Sequence, residues 1–304
     1  MNLAGLHHVT MITGDARKNV AFYADLLGLR LVKKTVNFDA PEAYHLYFGD
    51  EHGSPGSILT WFEFAGAPRG RAGLGMIHTL QLGVPSEASL DFWAERLAAG
   101  GHPASGGRRA LGFEDSDGLG LELVVSDQAP LRAEHPEIPA EHAISSLEGA
   151  RAYSEYAGMP ESVLTDLLGF THLGDGDYEL AGTRRRFRWG YDPAPAIAGR
   201  QGAGSVHHMA WATPDEDQLA WQGRIRAAGA YVTEVRDRDY FRSIYFREPR
   251  GVLFEIATLG PGFAVDEDPD HLGEELRLPK QHEHLRARLE ASLTPVENPR
   301  RVAA

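Results

Sequence analysis

Internal repetition constrains this chain most, because a small unit written several times must bury its sheet against other copies of itself. Near the N-terminus the sequence reads LHHVTMITGDARKNVAFYADLLGL, and from Val206 it reads VHHMAWATPDEDQLAWQGRIRAAGA. Both stretches open with a His-His doublet inside an apolar strand. An Asp then stands where a helix would begin (Asp15, Asp215) and a Gly where it would stop. Asp suits the N-cap, because its carboxylate accepts from free backbone N–H groups, and Gly suits the left-handed residue after the last turn.

Two fainter copies lie between. One starts at Ile77, with Ser86 as the expected cap and Gly100 as the stop; the other starts at Leu147 and stops at Gly169. Counting back about 20 residues from Gly28, Gly100, Gly169 and Gly229 reaches His8, His78, Glu148 and His208. After each helix come short aromatic and β-branched runs broken by Gly and Pro, such as AYHLYFGD, SILTWFEF, SIYFREP and GVLFEIAT, which read as strands. The expected fold is therefore α+β: four βαβββ modules paired into two curved, barrel-like sheets. Along the chain the expectation is an N-terminal domain at 1–128, a linker rich in Pro and Glu, a C-terminal domain at 142–262, and an extension at 263–304. That extension is acidic, then helical from His282 to Leu293, and is expected to pack loosely on the surface.

Composition excludes several classes of function. With 304 residues, 42% hydrophobic and 24% charged, the chain is globular and long enough for two ordinary domains. A formal net charge of −13 argues against nucleic acid and anionic membrane as partners, since both require clustered Lys and Arg. There is no cysteine, so disulfides, thiolate ligands and a catalytic thiol are excluded, and any metal must sit on His, carboxylate or water. Nothing resembles a signal peptide and the apolar runs are strand-sized, so a cytoplasmic protein is expected. The sequence leaves a homo-oligomer open.

Repetition also locates a site. Glu255 lies four residues after Gly251 in the final strand; the same step from Gly56 reaches Thr60 and from Gly118 reaches Glu122. Modules one and four then present His8, Thr60, His208 and Glu255, which is two imidazoles, one carboxylate and a weak fourth corner. Such a set leaves coordination positions open, as in non-haem Fe(II) oxygenases. Modules two and three present His78, Glu122 and Glu148, a poorer set read as degenerate. Strand alternation puts His7 and His207 on the opposite face or at the rim, where they could only support the ligands. The bland reading is that a lone strand His is a hydrogen-bonded core residue; two doublets at equivalent points, with a strand Glu between, favour a metal. His45, His52, His102, His172, His282 and His284 read as solvated.

The segments HHVTMIT, GSVHHMAWAT and DYFRSIYFREPRGVLFEIATLGPGFAVDE resemble the vicinal oxygen chelate superfamily, in particular its ring-cleaving hydroquinone dioxygenase branch, over about residues 4–295. The resemblance implies a ring-cleaving dioxygenase using O₂ on a small aromatic diol. It implies an Fe(II) site on His8, His208 and Glu255, with Mn(II) or Zn(II) possible in a purified sample. It further implies supporting roles for His7, Thr10, His207, Arg238 and Tyr245: Tyr245 and His207 as donors of hydrogen bonds or protons, Arg238 as the holder of substrate charge. From the residues alone, Arg238 and Arg242 read as surface ion pairs with Asp237 or Asp239, and Tyr245 as a core aromatic. Two other functions stay open: a glyoxalase-type isomerase or thiol transferase, which would need a second acid where Thr60 stands, and a binding protein that sequesters an aromatic compound.

Overall fold

The computed structural model describes residues 1–300. Four successive units each run strand, helical segment, three strands. The first holds β1 (Gly5–Thr13), α1 (Ala16–Val20, continued by a π-helical turn Ala21–Leu26), β2 (Arg30–Val36), β3 (Tyr44–Gly49) and β4 (Ile58–Glu63). The second holds β5 (Ile77–Val84), α2 (Glu87–Ala99), β6 (Ser105–Gly106), β7 (Ala110–Glu114) and β8 (Gly120–Val125). In the third, β9 (Ser146–Ser154) leads through a short π-helical turn, Val163–Leu167, to β10 (Thr171–Gly174), β11 (Asp177–Ala181) and β12 (Arg186–Pro193). The fourth holds β13 (Val206–Thr213), α3 (Gln218–Ala227), β14 (Arg236–Asp237), β15 (Arg242–Arg247) and β16 (Leu253–Thr258).

The sixteen strands make two eight-stranded curved sheets, as the α+β reading expects. Units one and four form the first, in the order β14-β15-β16-β13-β1-β4-β3-β2; units two and three form the second, β10-β11-β12-β9-β5-β8-β7-β6. Each sheet thus takes one unit from 1–128 and one from 142–262. At the centre of each is an antiparallel pair, β1 with β13 or β5 with β9, flanked on both sides by a parallel neighbour. The central pair is where two copies of the unit meet, so residues facing each other across it come from equivalent positions.

The helix signals hold in part. Asp15 caps α1 by accepting from the backbone N–H groups of Arg17 and Lys18, and Ser86 caps α2 through Ser89 N–H. Asp215 instead opens a 3₁₀ turn, Asp215–Asp217, and accepts from Gly260 N–H at 3.1 Å. Gly28, Gly169 and Gly229 have the expected positive φ, but after α2 the left-handed residue is Gly101 (φ 81°), not Gly100.

One face of the central strands looks into the concave side of the sheet; the alternate face is apolar. Val9, Met11 and Trp61 from the first sheet are fully buried there, with the ring of Tyr23 from the helical segment tilted against Trp61 at 3.9 Å between centroids. Trp211 of β13 meets Phe187 and Trp189 of β12, so the two sheets also pack against each other through these apolar backs. The polar face is therefore free to build a site.

The chain after Phe263 differs from its expectation, since it is fastened rather than loosely laid. Leu289, Leu272 and Asn298 are buried, and Asn298 donates to the carbonyls of Leu31 and Leu272. The Lys33 ammonium, fully buried on β2, pairs with Asp266 at 2.5 Å and with Glu267. The reason is that β2 is an edge strand, whose free backbone groups the extension covers, as at the Lys34–Leu276 bridge. Among the described residues no helix is long and apolar enough to cross a membrane.

Candidate metal centre

Two β-bulges build the centre. Leu6 faces Trp211 and His8 faces Ala210, so His7 is an extra residue on β1; Thr10 faces His208 and Met11 faces Val206, so His207 is an extra residue on β13. A bulge lets neighbouring side chains leave strict alternation. The first His of each doublet thereby lies beside the second rather than across the sheet: His7 Nδ1 is 2.9 Å from His8 Nδ1, and His207 Nδ1 is 2.8 Å from His208 Nδ1. Each contact turns the Nε2 of His8 or His208 away from its neighbour.

Those two Nε2 atoms converge on Glu255, which stands on β16 beside Ala210. His208 Nε2 lies 2.9 Å and His8 Nε2 3.5 Å from Glu255 Oε2. Ser243 Oγ donates to the other oxygen, Oε1, at 2.5 Å. Glu255 Oε2 is buried with no aligned hydrogen-bond donor, despite its nearness to two imidazoles. An unsatisfied buried carboxylate oxygen is costly, and one facing two nitrogen lone pairs is what a divalent cation would satisfy. The donor atoms of His8, His208 and Glu255 all lie within 4.8 Å of one another, and all three residues are buried. Two imidazoles and one carboxylate suit Fe(II) and related hard-to-borderline divalent ions.

Electrostatics keeps Glu255 ionised and His208 neutral, the states that bind a metal. Burial alone would push the Glu255 carboxyl up, but His8 and His208 outweigh it and hold it well below the usual range. Burial lowers His208 despite the nearness of the Glu255 charge. His7 is pushed down to about 3 by burial and by His8, against weaker support from Glu255 and the Thr258 backbone. His207 falls to about 4 through burial and His208, although one edge of its ring is open to the cavity.

That cavity, of about 380 Å³, lies directly over the three residues. Phe38, Phe62, Phe64 and Phe241 give it aromatic walls. Arg238 and Tyr245 line it together: Arg238 Nε donates to Tyr245 Oη at 3.3 Å, and the guanidinium also pairs with Asp39 at 3.2 Å. Arg238 therefore does not pair with Asp237 or Asp239. Burial pushes the Tyr245 hydroxyl up, with the Glu255 charge adding to it, so it keeps its proton. Thr10 is buried beneath His8, 3.4 Å from Thr60. Arg242 lies outside, 3.9 Å from Asp215.

His45 is the residue that sequence reading misplaced. It sits on β3, is buried, lines the cavity, and contacts Thr60 and Tyr47. The alternation of YHLYFG, which puts His45 and Tyr47 on one face, was the available signal.

Register also corrects the second sheet. There the bulged residues are His78 and Glu148, so they match His7 and His207, while Thr79 and Gly149 stand where the first sheet has His8 and His208. Gly190 stands at the place of Glu255. His78 bonds to Asp192 at 2.9 Å, Glu122 accepts from Gln81 at 2.6 Å, and Glu148 accepts from Gln128 and Ser146. These three do not converge. A cavity of about 260 Å³ in this sheet is lined by charges already paired with one another, Arg151 with Asp177 and Arg188 with Glu179 among them.

Residues 5–123 and 153–256 match the family model described as Glyoxalase/Bleomycin resistance protein/Dioxygenase superfamily. The chain belongs to that superfamily. Its relatives include a Bacillus subtilis protein named "Putative ring-cleaving dioxygenase MhqO", 42% identical over 308 residues and covering 96% of each chain. They also include the "Chlorohydroquinone/hydroquinone 1,2-dioxygenase" of Sphingobium indicum, 32% identical over 310 residues and 94% of each chain. The crystal structure of a "putative dioxygenase" from Bacillus subtilis superposes with a TM-score of 0.90 at 40% identity, covering 97% of this chain and 98% of that one. The family resemblance read from the doublets and the LFEIAT strand is thus borne out.

Proposed function

We propose that this superfamily member is a non-haem Fe(II)-dependent ring-cleaving dioxygenase of extradiol type, acting on a hydroquinone-type aromatic diol. The observation that carries the reading is a buried set of two imidazoles and one carboxylate, with a cavity-facing side and aromatic walls. The names of its relatives support the reaction class. Thr60, in place of a second carboxylate, disfavours a glyoxalase-type isomerase.

His8, His208 and Glu255 would hold the iron, which when bound supplies electron exchange between diol and O₂ and lowers the pKa of a bound hydroxyl. His7 and His207 fix the ligand imidazoles through Nδ1, leaving each Nε2 lone pair directed at the centre. Ser243 holds Glu255 Oε1, so Oε2 faces the imidazoles. The phenylalanine walls take a flat ring and exclude water from it. Arg238 offers a permanent cation to a deprotonated diol, and Tyr245 Oη, with its proton retained, donates a hydrogen bond toward developing negative charge. His207, whose Nδ1 accepts from His208 Nδ1–H, keeps its own proton on Nε2 and can donate it as a hydrogen bond to an oxygen in the cavity. Both oxygen atoms of O₂ end in the ring-opened product, cleaved beside the hydroxyl.

We further propose that 1–128, 142–262 and 263–304 are the sequential parts of the chain, the first two each lending one unit to each sheet.

The test is anaerobic reconstitution with Fe(II), followed by O₂ uptake on adding chlorinated or methylated hydroquinone. We expect stoichiometric uptake with a para-diol, and no metal retained by His208→Ala. Absence of uptake with every para-diol and catechol would overturn the activity; tight metal binding by His208→Ala would overturn the site.

A further inference from the structure

The first sheet repeats its own pattern about the β1–β13 pair, and the repeat places two tyrosines alike. Thr60 pairs with Thr10 as Glu255 pairs with Ala210, so Thr60 holds the place equivalent to Glu255. One strand further out, Tyr47 on β3 pairs with Thr60 and Tyr245 on β15 pairs with Glu255. Both tyrosines line the cavity. The metal centre lies to one side, because only Glu255 supplies an acid. Tyr245 is therefore beside it, its ring 5.7 Å from that of His208, whereas the ring neighbours of Tyr47 are His45, Tyr240 and Phe263. We propose that Tyr47 determines specificity: its hydroxyl donates a hydrogen bond to the second oxygen of a para-diol whose first oxygen occupies the metal centre, with His45 as the positioning residue. The inference rests on the diol-binding reading of the same site.

The direction of each bond follows from where a hydroxyl hydrogen can be left over. His45 Nε2 lies 2.6 Å from Thr60 Oγ1, and its Nδ1 lies 2.9 Å from Tyr47 Oη. Burial holds His45 well below its usual range, so it is neutral and has one N–H and one lone pair. Were Tyr47 to donate to Nδ1, His45 would donate from Nε2 to Thr60. The Thr60 hydrogen would then have only Thr10 Oγ1, at 3.4 Å, too long for a good bond. Thr60 is fully buried and does not line the cavity, so neither water nor ligand could relieve it. Thr60 therefore donates to Nε2, and His45 donates from Nδ1 to Tyr47 Oη. The hydrogen left over is that of Tyr47, on the cavity wall, where a ligand can accept it. Burial holds the Tyr47 hydroxyl well above its ordinary value, with Tyr245 adding to it, so this hydrogen is retained. Among the described residues the hydroxyl has no partner besides His45. A catechol, with adjacent oxygens, brings both to the metal and leaves Tyr47 unpaired; a para-diol carries its second oxygen to the far side of the ring. A site built to donate to that oxygen rejects a ligand that lacks it there.

The experiment uses the full chain loaded with Zn(II), which exchanges no electrons with the diol, under anaerobic conditions. Calorimetric titration gives the affinity of the unsubstituted protein and of Tyr47→Phe for hydroquinone and for phenol, which lacks the second oxygen. Tyr47→Phe should bind hydroquinone about tenfold more weakly, the worth of one hydrogen bond, and phenol unchanged. Nitrogen-15 spectra of the unsubstituted protein should show the His45 proton on Nδ1. Equal weakening of both ligands in Tyr47→Phe, or no weakening of either, overturns the proposal. So does a His45 proton on Nε2, which is read without any substitution and therefore decides the matter even if Tyr47→Phe fails to fold. Hydroquinone that does not bind the unsubstituted zinc form overturns the diol-binding reading and the proposal together. Failure of O₂ uptake by the iron-loaded protein, with hydroquinone and phenol still distinguished through Tyr47, overturns the activity alone.

Discussion

Individual residues at the centre are held in states that water would not choose, and stability should register this. His7 and His207 are neutral in the fold down to about 3 and about 4, whereas an unfolded histidine takes up its proton near 6.5. Between those values the unfolded chain binds more protons, so stability rises with pH through the window and is lost as pH falls below about 6.5. Glu255 acts in the same direction at lower pH, since its carboxyl is held below its ordinary value. The metal-free protein should therefore show a thermal midpoint that drops steadily from pH 7 to pH 4. A midpoint flat over that range, followed by differential scanning calorimetry, would contradict the neutral state of His7 and His207. His8, His208 and Glu255 were legible as residues because repetition marked them. His45 was not, because nothing in a lone strand histidine says that its neighbours two and fifteen residues away will share its ring.

Elements decide where those residues point. Strand alternation alone puts His7 behind His8; the bulges in β1 and β13 bring them side by side. Because the extra residue of a bulge depends on pairing with another strand, the sequence of one strand cannot show it. The same ambiguity shifted His78 and Glu148 by one position in the second sheet. The C-terminal extension is a second case. Its polar, acidic sequence looks like a solvated tail, yet Asp266 and Glu267 neutralise a lysine buried on β2. Lys33→Met should cost about 3 kcal/mol, because it leaves the buried Glu267 carboxylate with only the longer Arg277 contact, at 3.6 Å, as counter-charge. Adding Glu267→Gln should recover part of that loss, as measured by urea unfolding; a double variant no better than the single one would show that the ion pair is not what fastens the extension.

At the scale of the molecule, the centre exists only where distant units meet. His8 comes from the first unit, His208 and Glu255 from the fourth, and β1 pairs with β13 across nearly 200 residues of chain. Fragments 1–128 and 142–304 should each leave the central strands of both sheets unpaired, and neither alone should retain metal. Mixed during refolding, they should recover one metal per pair; tight metal binding by either fragment alone would exclude this assembly. The sequence by itself determined the βαβββ unit, its four copies, the three candidate ligands and the missing acid at Thr60, because periodic patterning and repetition are properties of the chain. Tertiary structure alone decided which units share a sheet, which histidine of each doublet faces the centre, and what stands around Thr60. Those depend on strand register, which is fixed by contacts between residues that the sequence keeps far apart.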